Sequence, residues 1–149
     1  MRKFCLLSIL FLFISCSQNK SVIEVTYTIN EFSSEDNRLN VTLDITNKTN
    51  NDISSLWSLH WNQISALVDS ESIPKNTKYE YVAGQSYNIL SFGNDYTLKK
   101  DETISIDLKQ RGGVKRKSDF PMGGFVVTDD DILNVKSVSY THLTLPTKA

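Results

Sequence analysis

The clearest folding signal in this chain is Leu39-Asn40-Val41-Thr42-Leu43-Asp44-Ile45-Thr46-Asn47. Apolar and polar residues alternate through it, which is the pattern of a β-strand with one face in a core and the other in water. The same alternation occurs at 23–29 and at 104–108. Turn-forming residues separate these segments, and none of them has helical periodicity. The sequence therefore predicts an all-β protein.

The number and spacing of the segments predict an immunoglobulin-like antiparallel β-sandwich. Further strands are expected within 56–62, 79–92 and 125–127, because these stretches are rich in aromatic and β-branched residues. Short strands joined by turns are typical of two packed antiparallel sheets. The 149 residues are 40% hydrophobic and 22% charged, which is enough for one domain with an adequate core.

The N-terminus has the features of a bacterial lipoprotein signal. Arg2 and Lys3 precede an apolar run at 4–14 that is too short to span a bilayer. The run ends in Ser15-Cys16, and polar residues follow at once. We expect 1–15 to be removed, Cys16 to carry lipid, and 16–21 to be a tether to the bacterial cell envelope, on the outer membrane. The alternative is an ordinary signal peptide with an incidental cysteine.

The last residues, 138–149, resemble the translation of a transposon-end sequencing adapter. On that interpretation they are not native and the gene continues past this sequence; the alternative is a genuine C-terminal strand. Without 1–15 and 138–149, the remaining 122 residues hold 13 basic and 17 acidic side chains, a net charge of −4. A chain with no basic excess is poorly suited to neutralise phosphates, so no nucleic-acid partner is expected.

Three segments carry a resemblance to a known family. They are the strand 39–47 with its Thr-Asn ending, the run Trp57-Ser58-Leu59-His60-Trp61, and the Ser-Asp-Phe-Pro-Met-Gly-Gly-Phe-Val-Val stretch at 118–127. Their order and spacing across 22–135 resemble the N-terminal carbohydrate-binding domain of bacterial chitobiases and β-N-acetylhexosaminidases, glycoside hydrolase family 20. The chain departs from the family at 83–85, where Ala-Gly-Gln replaces Asn-Gly-Asp, and at 100–102, where the expected glycine is missing.

The resemblance implies a sandwich at 22–137, related to cellulose-binding modules, followed by a catalytic barrel that this chain does not include. Family 20 enzymes release terminal N-acetylhexosamines, with the acetamido group of the substrate as nucleophile. The implied role is a lipid-anchored accessory module that binds glycans with N-acetylhexosamine units. We expect no hydrolase activity, catalytic residue, metal or cofactor in the chain itself. The alternatives are a packing domain without sugar binding, and a small envelope lipoprotein that mediates protein contacts.

Four aromatic residues are the candidate ligand contacts. Trp57 and Trp61 share one strand face about 13 Å apart, so they can form a stacking platform, although sandwiches also commonly bury a central tryptophan. Tyr81 and Tyr87 combine an apolar ring with a hydroxyl, which suits sugars and ordinary strand positions equally. His60 is expected to face away from the tryptophans.

Overall fold

The computed structural model describes residues 22–54, 56–64, 66–82, 84, 86–112 and 119–141. The expected signal peptide, Cys16 and residues 142–149 lie outside them. Within these ranges, no helix has the length and apolar character needed to cross a membrane. A short 3₁₀ turn lies at Ser70–Ser72, and the strands are β1 (Val22–Ser33), β2 (Arg38–Asn47), β3 (Ser58–Asn62), β4 (Leu67–Val68), β5 (Thr77–Val82), β6 (Tyr87–Phe92), β7 (Thr103–Arg111), β8 (Met122–Val127) and β9 (Ile132–Thr141).

The strands form one continuous sheet in the order β4-β7-β2-β1-β9-β8-β3-β6-β5. The sheet folds over on itself, so that the buried side chains of its two halves form a single hydrophobic cluster. For example, the rings of Tyr27 in β1 and Phe120, which precedes β8, pack edge to face with their centroids 6.0 Å apart. The prediction of an all-β sandwich is confirmed.

One strand pairing differs from the expected antiparallel arrangement. β1 and β9 run parallel, whereas the other strand pairs of the described residues are antiparallel. The hairpin from β8 sets the direction of β9, and the hairpin to β2 sets the direction of β1. The first and last strands then meet side by side with the same direction, so the sheet is mixed.

The β1–β2 ladder confirms the alternation at 39–47. Its apolar positions are all inside, with Leu39, Val41, Leu43 and Ile45 no more than 2% exposed. The chain reverses between the two strands through 34–37, where Asn37 has a φ of +51°, a left-handed conformation that asparagine tolerates better than most residues. Local sequence therefore specifies both this strand and the turn before it.

Strand β9 continues past residue 137, the expected end of the sandwich. Its residues Ser139 and Tyr140 lie in register with Thr26 and Tyr27 of β1. The segment interpreted as adapter-derived therefore begins inside a strand. Ladder hydrogen bonds come from the backbone, so this pairing carries little information about the origin of the residues. That origin stays a prediction about the gene.

Candidate functional site

Trp57 lies in the core, directly before β3. Its indole is 1% exposed and stacks on the ring of Phe92, with centroids 4.0 Å apart and planes at 20°. Its Nε1–H donates to the backbone oxygen of Tyr96 at 2.7 Å. The apolar ring is thus packed against another ring, and the indole N–H has a hydrogen-bond acceptor inside the protein.

Trp61 is 4% exposed and belongs to a buried polar network. Its Nε1–H donates to Oε1 of Gln63 at 3.2 Å. The Gln63 amide donates to the hydroxyl of Tyr27 at 3.4 Å, and that hydroxyl donates to Oε1 of Gln110 at 2.5 Å. The Gln110 amide closes the ring by donating to Gln63 at 3.3 Å. Burial raises the pKa of Tyr27 to about 12.

Of the two alternatives for Trp57 and Trp61, an exposed platform or burial, the structure has both indoles buried. Strand β3 turns Leu59 and Trp61 towards the core, because successive side chains of a strand point to opposite faces. Burying two indoles removes far more apolar surface from water than burying the smaller polar residues between them. Neither indole presents a face on which a ligand can stack.

Tyr81 and Tyr87 lie on opposite faces of the β5–β6 hairpin. Tyr81 is half-buried and shares the core-facing side of β5 with Tyr79, whose hydroxyl donates to Asn88 at 2.6 Å. The hairpin pairs Val82 with Tyr87, so Tyr87 points outward with Val82. The structure therefore separates the two predicted tyrosines.

A cluster of three rings lies on the outer face of β8, β3 and β6, and we call it the outer aromatic cluster. It consists of Phe125, His60 and Tyr87, all partly exposed. The His60 and Phe125 rings stack with centroids 4.8 Å apart and planes at 11°. The Tyr87 ring lies 5.7 Å from His60 and 6.4 Å from Phe125. The predicted position of His60, opposite the tryptophans, is confirmed.

Hydrogen bonds hold the imidazole of His60 at both nitrogens. Nδ1 lies 2.7 Å from the hydroxyl oxygen of Tyr87, and Nε2 lies 2.7 Å from Oγ of Ser58. Partial burial lowers the pKa of His60 below its ordinary value of 6.5 and raises the pKa of Tyr87. At pH 7 the cluster is therefore neutral, with hydroxyl and imidazole groups beside apolar rings.

Aliphatic side chains lie beside the outer aromatic cluster. Ile89 of β6 is the cross-strand neighbour of His60, and Val127 of β8 pairs with Ile132 of β9. Ile132 is 63% exposed. Lys78 and Glu80 lie at the β5 edge of this face, where their charged groups are 3.9 Å apart. The surface suits an uncharged ligand that offers both C–H and hydroxyl groups.

Sequence reasoning found only one member of this cluster as a ligand contact, Tyr87. Phe125 lies in a short apolar run, Phe125-Val126-Val127, in which all three residues look equally suited to a core. The structure buries Val126 alone among them. The alternation of faces along β8 distinguishes Phe125 and Val127 from Val126 once the pairing of β8 with β3 is known. That pairing joins segments far apart in the sequence, so a local pattern does not show it.

No protein-family model matches this chain, and no curated protein sequence matches it. Among solved structures, it is similar to the GH20 exo-β-N-acetylglucosaminidase from Vibrio harveyi in complex with N-acetylglucosamine, with a TM-score of 0.62 and 13% identity over 80% of this chain. This chain spans 19% of the length of that enzyme.

Two separate binding domains are also similar. The chitin-binding domain of Chi18aC from Streptomyces coelicolor has a TM-score of 0.54 and 11% identity, covering 79% of this chain and 98% of that domain. The carbohydrate-binding module CBM3b of cellobiohydrolase 9A from Clostridium thermocellum has a TM-score of 0.52 and 13% identity, covering 76% of this chain and 96% of that module. At these identities the likeness establishes the fold, a β-sandwich of the kind found in carbohydrate-binding modules.

Proposed function

We propose that this chain is a non-catalytic carbohydrate-binding module that accompanies a lipoprotein β-N-acetylhexosaminidase. The observation that carries the proposal is the outer aromatic cluster on a sandwich with the fold of carbohydrate-binding modules. Aromatic rings pack against the C–H faces of sugars, while Tyr and His side chains exchange hydrogen bonds with sugar hydroxyls. Phe125 and Tyr87 are the residues that make the apolar contact.

The proposed ligand is a glycan with N-acetylhexosamine units. Two similar structures, a chitin-binding domain and an enzyme that holds N-acetylglucosamine, support this choice. The aliphatic side chains of Ile89 and Val127 beside the rings offer a place for the methyl of an acetamido group. The pairing of Lys78 with Glu80 at the edge of the face favours a neutral glycan over an acidic one.

Retention on insoluble chitin tests this proposal, with microcrystalline cellulose as the second matrix. We expect Phe125→Ala and Tyr87→Ala each to weaken chitin binding by roughly fivefold to tenfold, which is about 1 to 1.4 kcal/mol of lost ring contact. The matched control is Phe32→Ala, because Phe32 is a partly buried phenylalanine of β1 in the other half of the sandwich. Unchanged retention in both cluster variants, or no retention of the unaltered chain, contradicts the proposal.

The proposal also includes a longer parent enzyme to which this module belongs. A catalytic barrel with an adjacent Asp-Glu pair would follow this module, and the chain itself would not cleave N-acetylglucosaminide reporters. Reading the genomic DNA downstream of codon 137 tests this directly. Several hundred further in-frame codons with that acidic pair support it, and a native stop codon after residue 149 contradicts it.

The envelope location is also a proposal, and it depends on Cys16. Acyl chains on this cysteine would hold the module at the membrane, since multiple chains give stable anchoring. Cys16→Ser is the test: the altered chain should leave the detergent phase in a phase-partition assay, whereas the unaltered chain stays in it. Equal partition of both chains contradicts the anchor.

A packing domain without sugar binding is the second candidate. The burial of Trp57 and Trp61 favours it, because it removes the largest aromatic faces from the surface. Met122 is 44% exposed beside a small apolar depression that is also lined by Val25 and Val135. A folded chain that binds neither chitin nor cellulose supports this candidate over the first.

A further inference from the structure

The further inference concerns regulation of the outer aromatic cluster and rests on the proposed function. We propose that Ser58, His60 and Tyr87 form a pH-sensitive recognition element, in which protonation of His60 turns a second hydroxyl hydrogen towards the acceptor oxygens of a glycan. Three geometric facts carry it: the imidazole is bonded at both nitrogens, both partners are hydroxyls, and the ring stacks on Phe125.

In the neutral state the imidazole donates from one nitrogen and accepts at the other. Of the two hydroxyls bonded to it, one must therefore donate to the ring and the other must accept from it. A hydroxyl has one hydrogen, so the donating one has none left for a ligand. Neutral His60 leaves the hydrogen of only one of the two, either Ser58 or Tyr87, available to point outward.

In the protonated state both ring nitrogens carry hydrogen and both donate. Ser58 and Tyr87 then accept together, with no change in heavy-atom positions, and both hydroxyl hydrogens become available to a ligand. The stacked ring of Phe125, with its centroid at 4.8 Å, offers the imidazolium a cation–π contact. Protonation therefore reverses one hydrogen bond without breaking the cluster.

The glycan chemistry decides the direction of the effect. Sugar hydroxyls donate or accept, but ring oxygens, glycosidic oxygens and acetamido carbonyl oxygens only accept. A site with two outward donors serves those acceptors better than a site with one, because an unpaired acceptor loses a hydrogen bond to water on binding. We therefore expect the glycan to bind more tightly as His60 becomes protonated.

The side chains directly beside His60 on the neighbouring strands carry no charge. Phe125 of β8 and Ile89 of β6 are its uncharged cross-strand neighbours. Tyr87 has a raised pKa and stays neutral in the acid range. Glu80 of β5 is the cross-strand partner of Ile89, and its carboxylate forms an ion pair with Lys78.

One further charged group of this face belongs to β9. Lys136 lies two positions along β9 from Asn134, the cross-strand neighbour of Phe125. Because burial lowers the pKa of His60, the transition falls on the acid side of 6.5.

The test is the affinity of the full chain for soluble N-acetylchitotriose between pH 4.5 and 8, measured by calorimetry. We expect a severalfold rise in affinity as pH falls through the His60 transition and a plateau below it. Thermodynamic linkage requires the pKa of His60 to rise on binding by the logarithm of the same factor. Histidine resonances followed by NMR with and without the sugar measure that rise, and the spectrum of His60→Gln assigns the signal of His60 against that of His142.

Three variants separate this role from a structural one. His60→Gln keeps a hydrogen-bonding side chain without the titration, so its affinity should not change with pH. Tyr87→Phe and Ser58→Ala each remove one of the two hydroxyls and should reduce the pH dependence. The matched control, Ser91→Ala, should keep it, because Ser91 is the cross-strand partner of Ser58 on the same face.

The outcomes distinguish this inference from the proposed function. Glycan binding that does not change with pH in the unaltered chain, or a pH dependence that survives in His60→Gln, overturns the inference and leaves the module a sugar binder. Absence of binding at every pH overturns both. If His60→Gln does not fold by circular dichroism, Tyr87→Phe compared with Ser91→Ala decides, and equal pH profiles in those two overturn the inference.

Discussion

The imidazole of His60 stacks on the ring of Phe125 with their planes at 11°, although 65 positions separate the two residues in the sequence. Antiparallel pairing of β3 with β8 places them directly opposite each other. The same β3 pairs on its other side with β6, which supplies Tyr87. The central position of β3 among three strands is what gathers the outer aromatic cluster.

Trp57 should matter for stability and not for binding. Replacing it with Phe removes the hydrogen bond to the Tyr96 carbonyl and leaves a gap in the core, so we expect unfolding free energy to fall by about 1–3 kcal/mol. Urea denaturation measures this change. Chitin affinity per folded molecule should stay the same, and a folded variant with lost affinity would show that the indole reaches the ligand.

Tyr81 should differ from Tyr87 in its effect on glycan binding. Tyr81 lies on the core-facing side of β5, whereas Tyr87 belongs to the outer aromatic cluster. We expect Tyr81→Ala to leave chitin retention unchanged and Tyr87→Ala to lower it severalfold. Both variants remove the same atoms, so each serves as the control for the other. Equal losses in the two would contradict the assignment of the site to the outer face.

The buried hydrogen-bond network of Tyr27, Gln63 and Gln110 should lose stability when the Tyr27 hydroxyl is removed. Tyr27→Phe removes the hydroxyl that bonds both Gln63 and Gln110, and a buried amide left without its partner costs about 1–3 kcal/mol. Tyr96→Phe is the matched control, since the Tyr96 hydroxyl bonds the Lys75 carbonyl in an exposed position. Denaturation midpoints that shift equally in the two variants would argue against the network as a source of stability.

Alkaline pH should unfold the chain partly through Tyr27. Its folded pKa of about 12 exceeds the ordinary value of 10.0, so the folded state keeps a proton that the unfolded state releases. The stabilisation is complete below pH 10 and is lost as pH rises from 10 towards 12, up to roughly 2.7 kcal/mol. Denaturation at a series of pH values measures it. Tyr27→Phe should lack this component, and an identical alkaline decline in that variant refutes the assignment.

The positions of the two predicted tyrosines show where local patterns stop being informative. Tyr81 and Tyr87 both look like strand residues beside a Gly-containing turn. Which face each occupies depends on the length of that turn, because one extra residue would reverse every side chain of β6. The observed pairing of Val82 with Tyr87 places the two tyrosines on opposite faces.

Local sequence is enough to specify the strand at 39–47, the turn that precedes it and the all-β class, because alternation and turn chemistry act between near neighbours. It also determined that His60 and Trp61 face opposite ways. Three features required the complete fold: the tryptophan face is the inner one, Phe125 stacks on His60, and β9 runs parallel to β1. Those outcomes depend on which strands pair and which face buries more apolar area, and both are properties of the whole chain.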